Sequence, residues 1–173
     1  MTTTVSVLDG PAAGSFAGLR ARLATGLPEA WCPPSVRVGI DVVVVAEVVE
    51  ALAGHGDRYL ERVFTPHELD CCRNGPDGAF VPEALAARFA AKEAVVKVLR
   101  PMDARPEWRS IEVRRGGGGW SEVRLTGRAA GLAEAAGIAE VAVSLSHEPA
   151  VAAAVAAAAV AAAPCRADDG DEQ

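Results

Sequence analysis

The sequence PEALAARFAAKEAVVKVLR, residues 82–100, predicts the longest helix of the chain and the element around which the rest packs. On a helical wheel one broad arc is apolar, which predicts burial of that side. Its members are Phe89, Ala91, Val95, Val96, Val98 and Leu99. The helix is expected to end before Pro101, because proline cannot continue the backbone hydrogen bonding.

Three charged residues interrupt the apolar stretch FAAKEAVVKVL, residues 89–99, within this helix. Lys92 points to the edge of the apolar arc, whereas Glu93 and Lys97 lie outside it as an i,i+4 pair. One interpretation is a surface ion pair that contributes roughly a few tenths of a kcal/mol. The bordering alanines favour the other interpretation, a ligand site, because small side chains allow a phosphate to approach closely.

Asp41 is the second unusual acidic residue, since it lies in the run VGIDVVVV, residues 38–45, which is typical of a buried strand. An unpaired buried carboxylate is costly. Asp41 is therefore either a strand-end aspartate satisfied by backbone N–H groups or, with Glu93, part of a Mg²⁺ site. His147 ends the motif SLSH, but no Ser-His-Asp spacing supports an acyl-transfer triad.

The remaining patterns predict an α+β fold. A strand is expected over 36–43 and a helix from Val45 to Leu52, ended by Gly54 and Gly56. A capping box with proline at the first helical position begins another helix, and residues 74–78 form a turn. The capping-box residues are Thr65, Pro66 and Glu68.

The C-terminal half is predicted to be β-rich. Strands are expected over 111–114 and 120–125, and a helix over 128–136 capped by Thr126 or Gly127. Two further strands meet near residues 147–149, which gives an antiparallel sheet packed with the long helix. The domain is assigned to 36–163, after an N-terminal extension (1–35) with a short helix near 16–24. An acidic, flexible tail (164–173) follows it.

The composition and net charge exclude some classes of binding partner. The 173 residues favour one domain, and the net charge of −6 argues against nucleic acid or an anionic membrane as partner. Between residues 88 and 115, however, eight basic residues face four acidic ones. This segment is either a solvated face or a site for a phosphorylated or acidic partner.

The four cysteines form no CxxC pair, no signal peptide is visible, and the alanine-rich stretch near residue 155 is too weakly hydrophobic to span a membrane. These features predict a cytoplasmic protein.

Four motifs in this order resemble the holo-acyl-carrier-protein synthase family, the small 4′-phosphopantetheinyl transferases: VGIDVV, RVFTPHELD, ARFAAKEAVVKVL and VSLSH. The resemblance covers about residues 36–160. It implies one copy of the family fold and a homo-trimer with active sites between subunits. It also implies transfer of the phosphopantetheine arm of coenzyme A to a serine of an apo acyl or peptidyl carrier protein, in fatty-acid or polyketide biosynthesis. The released product is 3′,5′-ADP.

The resemblance also implies site residues. The family's Mg²⁺, for which Mn²⁺ can substitute, corresponds to Asp41 and Glu93, and its phosphate-binding lysine to Lys97. The base is Glu93, Asp70 or a metal-linked water. Further coenzyme A or catalytic positions are Arg88, Lys92, Asp70, Ser146 and His147.

Two positions depart from the family pattern. Glu47 replaces an arginine used at the carrier contact, and RPMDARPEW, residues 100–108, replaces a glycine-rich loop. Arg100 and Arg105 of that loop could reach a coenzyme A phosphate.

Two rival functions remain to be compared with phosphopantetheinyl transfer. A catalytically silent carrier-binding module predicts a damaged metal pair. A coenzyme A pyrophosphate hydrolase predicts a helix with several clustered glutamates.

Overall fold

Five strands form one antiparallel sheet in the computed structural model, which describes residues 35–73 and 76–161. The strands are β1 (Ser35–Val44), β2 (Ile111–Arg115), β3 (Ser121–Leu125), β4 (Ala142–His147) and β5 (Val151–Val160), in the spatial order β1-β5-β4-β3-β2. The helices are α1 (Val45–His55), α2 (Asp57–Val63), α3 (Pro66–Cys71), α4 (Pro82–Leu99) and α5 (Gly127–Ala135). Short 3-10 turns lie at Pro76–Gly78 and Trp108–Ser110.

Helix α4 packs across one face of the sheet through small side chains. Its alanines at 86, 87, 90, 91 and 94 are fully buried, and alternate alanines of β5, from Ala152 to Ala158, are at most 4% exposed. Alternation along β5 follows from the strand period of two, which sends every second side chain to the helix side. The small side chains on both surfaces let the helix lie close to the sheet.

Gly39 allows the closest approach of β1 to α4. A Cβ atom at Gly39 would overlap the carbonyl oxygen of Ala94 and lie 3.0 Å from the Cβ of Lys97. Any larger residue would therefore separate the strand from the helix. Because Asp41 is two residues further along β1, it lies on the same face as Gly39, beside the last turns of α4.

The predicted fold class is confirmed, and all five predicted strands are present. The predicted capping box also forms: the hydroxyl of Thr65 accepts from the Glu68 N–H (3.3 Å), and the Glu68 carboxylate accepts from the Thr65 N–H (2.8 Å). Helix α4 ends at Leu99 with Arg100 in the left-handed conformation (φ 50°), directly before Pro101.

Two local details differ from the sequence predictions. No helix was predicted between Gly56 and Thr65, where α2 forms. Thr126 is the N-cap residue of α5, but its side chain makes no capping bond; the hydroxyl donates to the Ser110 carbonyl instead (3.4 Å).

The described residues contain no helix long and apolar enough to cross a membrane. The predicted helix near residues 16–24 and the acidic tail 164–173 lie outside the described residues, as does the predicted extension apart from Ser35.

Candidate active site

Asp41 forms an ion pair with Lys97 where β1 passes the end of α4. Lys97 Nζ lies 2.8 Å from Asp41 Oδ1 and donates a second hydrogen bond to the Ile40 carbonyl (2.6 Å). The Asp41 side chain is 18% exposed and that of Lys97 is 48% exposed. The carboxylate is thus satisfied by an ammonium group, and the expected alternative of backbone N–H donors is not observed.

Glu93 lies one helical turn before Lys97 and has a different partner. Arg105 Nη1, from the loop after α4, is 3.4 Å from Glu93 Oε1, and the Glu93 side chain is 19% exposed. The local pair between Glu93 and Lys97 that the i,i+4 spacing suggested is therefore not formed. Each of the two residues instead joins α4 to another part of the chain.

The arrangement suits a small, hard divalent cation. Asp41 and Glu93 present oxygen ligands from adjacent elements, and both side chains are mostly buried yet reachable from solvent. In the part of the chain that the structure describes, no group of three or more His, Cys, Asp or Glu side chains gathers as a metal cage. A pair is sufficient for Mg²⁺, which binds one or two carboxylates and completes its shell with waters and substrate phosphates.

A basic cleft of about 380 Å³ brings together three other predicted residues: Arg88, Ser146 and His147. Arg114 and Arg115 at the end of β2 also line it. Arg88 Nη1 donates to the Ala84 carbonyl (3.2 Å), whereas the buried Nε has no hydrogen-bond partner within the described residues. Three guanidinium groups and an imidazole in one cleft favour a phosphate or another anion.

Lys92 is not in that cleft. Its side chain is fully buried, its Nζ lies 2.9 Å from Glu68 Oε2, and it donates to the carbonyls of Trp108 (2.8 Å) and Ile111. Because these three acceptors use the three protons of the ammonium group, none remains for coenzyme A. In place of the predicted contact with coenzyme A, the structure gives Lys92 an internal role.

Asp70 is exposed near the end of α3, and its carboxylate makes no hydrogen bond or ion pair among the described residues. The structure thus joins it to neither cluster.

Glu47, which departs from the family pattern, is exposed in the first turn of α1. An acidic side chain there interacts favourably with the helix dipole.

The sequence profile of the 4′-phosphopantetheinyl transferase superfamily matches residues 37–156, which include Asp41, Glu93 and the basic cleft. The chain belongs to this superfamily. The match confirms the resemblance drawn from the four motifs. It includes most of β1, all of α4 and β4 and much of β5, the elements that carry most residues of both clusters.

Individual transferases of the superfamily are similar over most of their length. The chain is 46% identical over 121 residues to the holo-[acyl-carrier-protein] synthase of Desulforudis audaxviator, covering 69% of this chain and 90% of the relative. It is 45% identical to the Anaeromyxobacter dehalogenans enzyme of the same name, covering 68% and 90%. The solved ACPS–CoA complex of Chronobacterium ammoniagenes superposes with a TM-score of 0.64 at 30% identity, covering 74% of this chain and 99% of that one.

Proposed function

We propose that this chain transfers the 4′-phosphopantetheine arm of coenzyme A to a serine hydroxyl of an apo acyl carrier protein or carrier domain. Superfamily membership and the relatives named holo-[acyl-carrier-protein] synthase support the reaction class. The observation that carries the proposal in this structure is the pair of mostly buried carboxylates, Asp41 and Glu93, each neutralised by an exposed cation.

The reaction is an in-line displacement at phosphorus. The serine oxygen bonds to the phosphorus that bears the pantetheine arm, the bond from that phosphorus to the bridging oxygen breaks, and 3′,5′-ADP leaves. The serine proton passes to a carboxylate. Glu93 lies at the site, whereas Asp70, the other predicted candidate, is joined to neither cluster in this structure. Lys97, whose side chain is half-exposed beside Asp41, donates a hydrogen bond to the departing phosphate.

Asp41 and Glu93 would hold Mg²⁺, with Mn²⁺ as a substitute, and the bound ion supplies neutralisation of the diphosphate charge. The basic cleft would hold another anionic group of coenzyme A through Arg88, Ser146 and His147. Arg114 and Arg115 add two positive charges to this cleft; from the sequence they were known only as members of the basic segment 88–115.

We further propose that the chain assembles as a homo-trimer through the outer face of the sheet. Five apolar side chains of β1 are between 46% and 67% exposed: Val36, Val38, Ile40, Val42 and Val44. Their register partners on β5 are all alanine or valine, and Val151 and Val155 are 38% and 42% exposed. An apolar face of this kind on an edge strand favours burial against another surface.

Copies of the same chain are the proposed occupants of this face, in agreement with the trimer that the family resemblance implies. The backbone of β1 carries both Ile40, on the outer face, and Asp41, beside Lys97. Assembly on the outer face would therefore bring a neighbouring subunit close to the active site. We also propose a cytoplasmic location, as predicted from the cysteine pattern and the lack of a visible signal peptide.

Mass spectrometry of the carrier protein tests the reaction and separates it from its rivals. The protein is incubated with coenzyme A, Mg²⁺ and each of several apo carriers, and a gain equal to one phosphopantetheine group is expected on the carrier. The absence of a gain with every carrier would overturn the proposal and favour the silent binding module. Cleavage of coenzyme A without a carrier would favour the hydrolase.

A matched pair of variants assigns the reaction to the site. Glu93→Gln is expected to abolish transfer while the far-ultraviolet circular dichroism stays unchanged. Glu83→Gln, the same substitution in the first turn of the same helix, is expected to retain transfer. Equal rates in the two variants would remove Glu93 from the site.

A further inference from the structure

Arg105 occupies an unusual position, because it is the arginine that pairs with one of the two carboxylates assigned to the metal. Its Nη1 lies 3.4 Å from Glu93 Oε1, and its side chain is 66% exposed. We propose that Arg105 is a phosphate-binding residue that exchanges the Glu93 carboxylate for the diphosphate of coenzyme A when a divalent cation occupies the site. This inference rests on the proposed function.

The backbone on both sides of Arg105 is tethered. The Ala104 carbonyl accepts a hydrogen bond from Arg128 Nε (3.1 Å), and Pro106 is buried. The Glu107 carbonyl accepts from both the backbone N–H (2.9 Å) and the hydroxyl (2.6 Å) of Ser110. These anchors keep Arg105 within reach of Glu93, so the guanidinium group can change partners while the loop stays in place.

The ion pair between Arg105 and Glu93 is weak. It has one contact at 3.4 Å, longer than a charge-assisted hydrogen bond of about 2.7–2.9 Å, and the arginine side is largely in solvent. A phosphate offers a guanidinium two parallel hydrogen bonds, which the present contact with Glu93 does not provide. Arg105 therefore gains from moving to a diphosphate placed beside the two carboxylates.

Charge balance gives the exchange a direction. In the structure Asp41 and Glu93 are neutralised by Lys97 and Arg105, so the cluster has no net charge. A divalent cation alone is opposed by the two cationic side chains, and the diphosphate of coenzyme A alone meets no net attraction at this cluster. With the cation present the cluster carries two positive charges, which match the two negative charges of the diphosphate diester. Metal and coenzyme A should therefore bind with positive coupling, which is reciprocal.

Open space beside Arg105 is consistent with this movement. Arg105 lines a cleft of about 570 Å³ together with Arg62, Arg109 and Trp108. The cleft adds two further arginines beside Arg105, and Glu61 and Glu107 also line it. Because three arginines outnumber two glutamates, an anionic ligand that reaches this cleft would still meet a net positive charge.

The exchange is tested by two equilibrium measurements that do not depend on turnover. Mn²⁺ binding without coenzyme A is followed by electron paramagnetic resonance, and coenzyme A binding at saturating Mg²⁺ by calorimetry. In Arg105→Ala the Mn²⁺ affinity should rise about two- to fivefold, because a competing cation is removed. The coenzyme A affinity should fall about tenfold, because a charge-assisted bond is lost. Arg124→Ala, which removes an exposed arginine of β3, should change neither.

Opposite changes in the two affinities distinguish exchange from a structural effect, since damage to the fold would weaken both. Arg105→Lys should keep the wild-type Mn²⁺ affinity and recover only part of the coenzyme A affinity, because lysine lacks the guanidinium fork. Unchanged affinities in Arg105→Ala, or a parallel loss of both, would overturn the inference while leaving the transferase proposal intact. A wild-type protein that binds neither ligand would overturn the proposed function and this inference with it.

Discussion

Glu68 and Lys92 form an ion pair in which neither side chain is exposed, with Oε2 and Nζ separated by 2.9 Å. Glu68 also accepts from the backbone N–H groups of Thr65 (2.8 Å) and Val113 (2.9 Å). Together with the carbonyl acceptors of Lys92, these bonds join α3, α4, β2 and the Trp108–Ser110 turn at one point. Because Lys92 directly precedes Glu93, this pair holds the part of α4 that carries the carboxylate proposed to bind the metal.

Removing one partner of this pair should be strongly destabilising. Lys92→Met leaves the Glu68 carboxylate buried without a counter-charge, and such losses are about 3–5 kcal/mol. The free energy of unfolding, measured by urea denaturation, should fall by that amount. The double variant Lys92→Met/Glu68→Gln should recover part of the loss, because no uncompensated charge remains. A single variant as stable as wild type would mean that the pair does not support the fold.

Only the contacts of Glu68 within its own helical turn could be predicted from the sequence. The capping box at Thr65 and Glu68 could be predicted because both residues belong to one helical turn. The burial of Glu68 against Lys92 could not, since that contact depends on how α3 docks on α4. The same limit applies to Glu93 and Lys97: their i,i+4 spacing suggested a mutual pair, but their partners come from the loop after α4 and from β1. The sequence therefore identified the charged residues of the motifs, but it did not identify the side chains with which they pair.

Gly39 should be essential for the distance between β1 and α4. In Gly39→Ala the new methyl group meets the Ala94 carbonyl, a backbone atom that cannot rotate away. We expect a loss of about 1–3 kcal/mol in stability, as in other overpacked sites. Transfer activity should fall further, because Asp41 moves away from the residues of α4.

Gly54→Ala is the matched control for this substitution. Gly54 lies in α1 with open space around its Cβ position, so alanine should be neutral or stabilising there by up to about 1 kcal/mol. Thermal denaturation and the transfer assay compare the two variants. A Gly39→Ala protein with wild-type stability and activity would show that the close approach is dispensable.

Cys72 should make the fold sensitive to alkaline pH. Burial raises the pKa of its thiol from 9.0 to about 11, although Arg88 opposes the shift. Since the folded-state pKa lies above the unfolded value, this contribution is complete below pH 9 and is lost as the pH rises through 11. Its size is at most about 2–3 kcal/mol, from a shift of roughly two pKa units.

The difference between two proteins isolates this contribution. Urea unfolding of the wild type and of Cys72→Ala is measured between pH 7 and pH 11, so that other alkaline titrations cancel. The advantage of the wild type should shrink above pH 9. A constant difference across this range would show that the thiol does not titrate between the two values.

The outer face of β1 should determine the oligomeric state. Val38 is 61% exposed on that face, and a glutamate there would place a charge inside the proposed trimer interface. Val38→Glu should elute as a monomer in size-exclusion chromatography with light scattering, whereas the wild type should be a trimer. Val49→Glu, at a valine of α1 that is 46% exposed, should remain a trimer. Because the active sites are proposed to lie between subunits, the monomeric variant should also lose transfer activity while it stays folded. A monomeric wild type with full activity would contradict the trimer and leave the apolar face to another partner.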